Sequence, residues 1–177
     1  LRFGYQANQR VINFILKDNF ASRSVDIEYQ APTRGGFSEN EFEATLLRFG
    51  KSSRINLNAK AVDNSALTEA ERGVIQEAAT LPSVAGDPDP ARARTLIADA
   101  RELSLTGSWS GGLGENGSAG SLSLNGSITR ADSRSLSGLN RVTLTGPGGE
   151  SARRSFGDPL ARDRRSVTLA GGGAWNT

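Results

Sequence analysis

The clearest pattern in the chain runs from Gly120 to Arg130, GSLSLNGSITR. Leu122, Leu124, Gly126 and Ile128 alternate with Ser121, Ser123, Asn125, Ser127 and Thr129. Side chains alternate with period 2 in a strand, so this segment predicts a strand with one apolar face and one polar, uncharged face. A soluble protein would turn the apolar face onto a core. A membrane barrel would turn it to lipid and line a wet interior with the small polar residues.

The same alternation predicts six strands, at 23–31, 41–49, 54–62, 101–110, 118–130 and 164–175. Val25, Ile27 and Tyr29 form the apolar register of the first, and Ile55, Leu57, Ala59 and Ala61 that of the third. Leu103, Leu105, Gly107 and Trp109 form that of the fourth; Val167, Leu169, Gly171, Gly173 and Trp175 that of the sixth. In the second strand Phe42, Ala44 and Leu46 compete with Leu47 and Phe49 for the apolar face. Upstream, Arg10–Leu16 is a further strand candidate, apolar on both faces.

The connections alternate in length. Those at 50–53 and 111–117 are tight and Gly-rich, that at 32–40 is intermediate, and those at 63–100 and 131–163 are long. Up-and-down topology places alternate connections at opposite ends, and outer-membrane barrels keep short turns on one side and long loops on the other. Phe49, Trp109 and Trp175 then fall at the short-turn rim, where amphipathic rings collect at a membrane–water interface.

The long connections carry their own signals. Thr68–Ala79 predicts a helix, with Thr68 as N-cap and Glu71 at the capping-box position, weakened by Gly73. Asp87-Pro88-Asp89-Pro90 opens a second short helical pattern over Ala91–Ala100. Glu69, Glu71, Asp87 and Asp89 fit no calcium-loop spacing, which favours a solvated loop over a metal site. Arg141–Thr145 followed by Gly146-Pro147-Gly148-Gly149 predicts a local hairpin. Arg153, Arg154, Arg162, Arg164 and Arg165 have the chemistry to bind an anionic ligand or a lipid phosphate, but a solvated basic loop is the favoured reading.

Composition narrows the function classes. The 177 residues carry a formal charge of +2, and no basic run suggests a nucleic-acid surface. No apolar stretch is long enough for a membrane helix. Without Cys or His there is no disulfide frame, thiolate site, ordinary general base or zinc site. The serines lie in strand alternation, not on a nucleophile elbow, and Gly111-Gly112-Leu113-Gly114 has no helix after it to make a phosphate loop. The chain is expected to be no enzyme, with no catalytic, cofactor or metal residues and no assigned ligand contacts. Met is absent and position 1 is Leu, so a processed or truncated product is expected.

The run Phe3-Gly4-Tyr5, then Gln9-Arg10-Val11-Ile12-Asn13-Phe14-Ile15-Leu16-Lys17 and Phe20, resembles the end of the plug domain in TonB-dependent outer-membrane receptors. The strand at Val25–Gln30, Arg54-Ile55-Asn56-Leu57-Asn58-Ala59, Asn64-Ser65-Ala66-Leu67 and Thr129–Asn140 resemble the barrel text that follows it in that family. The resemblance runs through most of the chain, but the energy-coupling box, most of the plug and the later strands are missing. It implies residues 1–20 as the C-terminal end of the plug and 21–177 as about the first six strands of the barrel. The expected fold is all-β: antiparallel up-and-down strands of an incomplete barrel, an open curved sheet, with short helices in a long loop. The implied protein is a ligand-gated, energy-coupled transporter in the bacterial outer membrane. Its partners would be outer-membrane lipid, a small ligand, and an energy-coupling periplasmic protein reached through the missing plug region, with no nucleic acid. The alternatives are a soluble β-sandwich or adhesin-like binding module with a loop recognition face, and a passive porin.

Overall fold

The computed structural model describes residues 19–115 and 118–177. The strand expected at Arg10–Leu16 and nearly all of the plug-like segment lie outside the described residues.

Six long strands build one antiparallel sheet. They are β1 (Phe20–Gln30), β2 (Glu39–Phe49), β3 (Ser53–Asn64), β6 (Asp99–Leu113), β7 (Gly120–Leu136) and β10 (Ala161–Asn176), each paired with the next. These are the six expected strands; toward the longer connections β2, β3 and β6 run two residues further than expected, β10 three and β7 six. Two small pairs sit in those connections: β4 (Leu67–Thr68) with β5 (Thr95–Ile97), and the hairpin β8 (Asn140–Thr145) with β9 (Ser151–Phe156). The fold is all-β and up-and-down, and among the described residues the sheet is open, with β1 and β10 as its edges.

Cross-strand neighbours share a face, so the register assigns every side chain. One row reads Val25, Ala44, Ala59, Leu105, Ile128, Leu169. The next, toward the long connections, reads Ile27, Phe42, Ala61, Leu103, Arg130, Val167. Toward the short turns come Leu46, Leu57, Gly107, Gly126 and Gly171, then Ile55, Trp109 and Leu124, then Leu122 beside Trp175. The competition in β2 therefore resolves for Phe42, Ala44 and Leu46. The opposite face carries Ser22, Leu47, Asn56, Ser108 and Asn125, then Ser24, Thr45, Asn58, Thr106 and Ser127, then Asp26, Glu43, Lys60, Ser104 and Thr129.

No described residue covers the apolar face. Leu169 is 79% exposed, Ile27 78% and Trp175 70%. Its lower border is diagonal. On β1 the apolar run begins at Val25, above Arg23; on β2 at Leu46, above Arg48; on β10 at Trp175. Val25 aligns with Leu169, so the border descends six residues across the sheet. At about 3.4 Å per residue and about 4.8 Å per strand, this is roughly 20 Å over 24 Å, a slope of about 40°. A plane that cuts strands tilted by that amount leaves such a border.

Two glycines are required by the backbone. Gly120 opens β7 at φ 116°, and a Cβ there would lie 2.3 Å from the Asn176 carbonyl oxygen. Gly73 at φ 61° donates its N–H to the Ala70 carbonyl and ends the turn Ala70–Arg72. That stop corrects the helix expected over Thr68–Ala79, which is reduced to 3-10 turns at Ala70–Arg72 and Ala78–Thr80. Over Ala91–Ala100 the structure has one 3-10 turn, Pro90–Ala93, followed by β5 and the start of β6. There the β-branched Thr95 and Ile97 find pairing partners in Thr68 and Leu67, and pairing overrides a weak helical propensity.

Candidate functional site at the long-loop end

All three longer connections, 31–38, 65–98 and 137–160, leave the same end of the sheet and interlock into a cap. Ser65 ties the first to the second: its hydroxyl accepts from the Ser38 N–H at 2.8 Å and donates to the Gly36 carbonyl at 3.0 Å. Arg72 adds a bond from Nη1 to the Arg34 carbonyl at 2.8 Å. Second and third connections meet at Thr95, whose hydroxyl accepts from the Leu136 N–H at 3.0 Å, and at a bridge between Arg94 and Ser137. They meet again at Ser83 and Arg153, joined through backbone and hydroxyl.

Asp87 is the centre of this joint. Arg154 donates Nε to Oδ2 and Nη2 to Oδ1, both at 2.8 Å, and the Ser155 N–H adds a bond at 2.9 Å. Asp87 is only 6% exposed although its partner is 42% exposed. The Arg154 guanidinium, aided by the Ser155 N–H, holds the Asp87 carboxyl below the usual carboxylate range.

The hydrophobic core of the described residues lies here and not under the sheet. Leu67, Pro90, Ala91, Ala93 and Leu139 are buried, and all five belong to the connections. The sequence separates these apolar residues among Ser, Pro and Arg, so no periodicity marks them.

The acidic residues of the second connection do not converge. Glu71 accepts from the Thr68 N–H at 2.7 Å and the Thr68 hydroxyl at 2.8 Å, which lowers its pKa, the backbone bond first. That is the capping-box contact expected of this pair, made without a helix to follow. Asp89 accepts from the Ala91 N–H at 2.9 Å, and Glu69 from Gln76 at 2.8 Å. Among the described residues no group of three acidic side chains is placed to hold a metal ion.

The arginine cluster is divided. Arg154 is committed to Asp87. Arg153 donates Nε to the Leu81 carbonyl at 3.1 Å and Nη2 to the Ala78 carbonyl at 3.2 Å. Arg162 and Arg164 lie on the polar face, in register with Ser135 and Ser133. Arg165 lies on the other face, 2.6 Å from Asp132. Just above the apolar band, Asp63, Arg101, Asp132 and Arg165 form a row of alternating charge, and Asp99, Arg134 and Asp163 a second. A cleft of about 570 Å³ runs along these two rows.

At the short-turn end the aromatics part company. Trp109 and Trp175 sit on the apolar face. Phe49 pairs with Arg54 and Phe20, whose rows belong to the polar face. Its ring centroid is 6.1 Å from that of Phe20 and 4.3 Å from the Arg54 guanidinium carbon. The expected three-residue rim is therefore a tryptophan pair on one face and a Phe–Phe–Arg stack on the other. Phe49 is one position out of phase with the apolar register, and that offset was readable.

The polar face holds carboxylates on its first strands. Lys60 pairs with Glu41 at 2.6 Å, and Asn58 donates to Glu43 and to Thr45. Compared with known proteins, the chain matches no family model, no curated protein and no solved structure.

Proposed function

We propose that the chain is part of the wall of an outer-membrane β-barrel and belongs to a ligand-gated, energy-coupled transporter that imports a scarce ligand into the periplasm. The observation that carries the barrel reading is the apolar band, uncovered by any described residue, whose border toward the short turns is diagonal. Its slope of about 40° falls within the 35–45° strand tilt of membrane barrels. Along β3, β7 and β10 the band spans four to five rows, roughly 20–27 Å at about 3.4 Å per residue, near the ~25 Å apolar belt of such barrels, and along β1 and β2 it spans three rows, roughly 14 Å.

Three further features support it. The other face is small and polar in its middle, as a wet interior requires. Arg130 in the uppermost row aside, charged residues begin just above the band, where lipid tails would end. The longer connections gather at one end, and the turns 50–52 and 114–119 at the other. The soluble sandwich needs a second sheet over the apolar face, and the described residues form none there. Gating and energy coupling rest on the plug-like segment at the start of the sequence and distinguish the transporter from a porin.

The test uses the full-length product in cells. Expected are recovery in the outer-membrane fraction, heat-modifiable migration, and ligand uptake that stops when the inner-membrane proton gradient is collapsed. Uptake indifferent to the gradient would leave a porin; recovery as a soluble protein would leave the binding module.

A further inference from the structure

Two clefts at the long-loop end carry arginines, and they differ in charge balance. Along the ladder each arginine is matched by an aspartate. The second cleft, about 290 Å³, lies between the β8–β9 hairpin and residues 79–82, and no carboxylate lines it.

The register of the hairpin explains its lining. Arg141 pairs with Ser155 and Thr143 with Arg153, so these four side chains share one face of the hairpin. That face looks toward Thr80 and Leu81 of the second connection. Arg153 is fixed to the Leu81 and Ala78 carbonyls, which orient its guanidinium without neutralising it. Arg141 is exposed and makes no ion pair with any described residue. Two cationic forks thus face one cleft with no protein counter-charge between them.

Ser155 supplies an independent sign. It is 2% exposed, and its hydroxyl has no hydrogen-bond partner among the described residues. A buried hydroxyl without a partner is costly, and native structures satisfy nearly all such groups with protein, water or ligand. Its backbone N–H is already used by Asp87, so the hairpin holds this hydroxyl in place beside Arg141 and Arg153.

We propose that this cleft binds a small oxyanionic ligand, a carboxylate- or phosphate-bearing molecule held by Arg141 and Arg153 and hydrogen-bonded by the Ser155 hydroxyl. Guanidinium forks suit both anion types by paired N–H donors. The volume lies at the lower end of small-molecule pockets, which selects a compact ligand. As the outer subsite of a transporter the cleft rests on the function proposed above; as an anion site it does not.

The full chain in detergent micelles, titrated with citrate and separately with inorganic phosphate by calorimetry at low ionic strength, tests this. Expected is saturable one-to-one binding of at least one of the two. Arg141→Ala should weaken it about tenfold or more, the effect of losing a charged hydrogen bond. Ser155→Ala should weaken it severalfold while leaving the cap as resistant to protease as before. Arg162→Ala, a cation on the sheet outside the cleft, should leave it unchanged. Absence of saturable binding to either anion would overturn the proposal. So would equal loss in Arg162→Ala and Arg141→Ala, or unchanged affinity in Ser155→Ala. Anion binding by a chain that stays soluble and monomeric without detergent would keep the cleft and remove the transporter. Membrane insertion without anion binding would do the reverse.

Discussion

Arg154 and Asp87 lie 67 residues apart in sequence and close on each other as two parallel hydrogen bonds, both 2.8 Å. One comes from each of the two long connections. The pair therefore joins two segments that the sheet alone would leave independent, and Ser83 with Arg153 repeats the joint one step away.

Breaking that pair should loosen the cap and spare the sheet. Asp87→Ala removes the acceptor of three hydrogen bonds and leaves Arg154 in water, where it is already 42% exposed. Amide exchange should rise in residues 81–88 and 151–156 and stay unchanged in β3, β6 and β7. Uniform acceleration through the sheet would show that the cap and the sheet form one cooperative unit.

Acid should act on the same joint. The Asp87 pKa is depressed in the folded chain by Arg154, so the folded form binds its proton less readily than the unfolded form. Its contribution is complete above the ordinary aspartate value, about 3.9, and is lost as pH falls through the lower folded value. Protease sensitivity of the cap should be flat from pH 7 to about 4 and increase only below that. Asp87→Asn should reduce this step to what protonation of Glu71, the other depressed carboxyl of the second connection, leaves. A cap that opens between pH 7 and 5 would point to some group other than Asp87.

Much of the sheet was legible in the sequence because period-2 alternation is a local signal. Leu122, Leu124 and Ile128 declare a face without knowledge of their neighbours. The cap was less legible because its determinants are non-local. Nothing near Asp87 marks it as the partner of Arg154, and Leu67, Ala91 and Leu139 show no period. The helices expected at Thr68–Ala79 and Ala91–Ala100 failed for the same reason. Local capping and propensity were right as far as the Thr68–Glu71 contact, and then Gly73 and the pairing of β5 with β4 decided otherwise. Arg141 and Ser155 were passed over, although their alternation within the hairpin could have placed them on one face.

The faces of the sheet predict opposite responses to the same charge. Leu124 lies within the apolar band, and Ser123 beside it faces the polar side in register with Ser110 and Ala174. In lipid, Leu124→Arg should cost clearly more than Ser123→Arg, though less than the about 2–4 kcal/mol of a midplane position because Leu124 pairs with Trp109 near the short turns. Urea titration of folding into vesicles measures both. Equal costs would contradict the assignment of faces.

Trp109 and Trp175 share the apolar face near the short turns, and an interfacial position follows for both. Their fluorescence in vesicles should be quenched more by shallow lipid labels than by deep ones. Phe49 is assigned to the interior side, so Phe49→Trp should respond to an aqueous quencher and hardly to either lipid label. A lipid-quenched Trp at position 49 would place the Phe20–Phe49–Arg54 stack outside the barrel.

The chain by itself exposes two kinds of unsatisfied surface. The edges β1 and β10, 11 and 16 residues long, pair with no further strand among the described residues. Exposed edges of that length template pairing with other chains. The apolar face adds Val25, Ile27, Val167 and Leu169, each more than 60% exposed, with nothing among the described residues to cover them. Contiguous apolar patches of this kind drive association in water. Six strands are also too few to close, since the smallest single-chain membrane barrels have eight. The purified chain should therefore sediment as aggregate in water and disperse in detergent. Within the aggregate the interlocked cap should stay protected, because its contacts do not depend on barrel closure. A single monomeric species in water with one cooperative unfolding transition would mean that the apolar face is covered from within, and would favour the soluble binding module over the barrel wall.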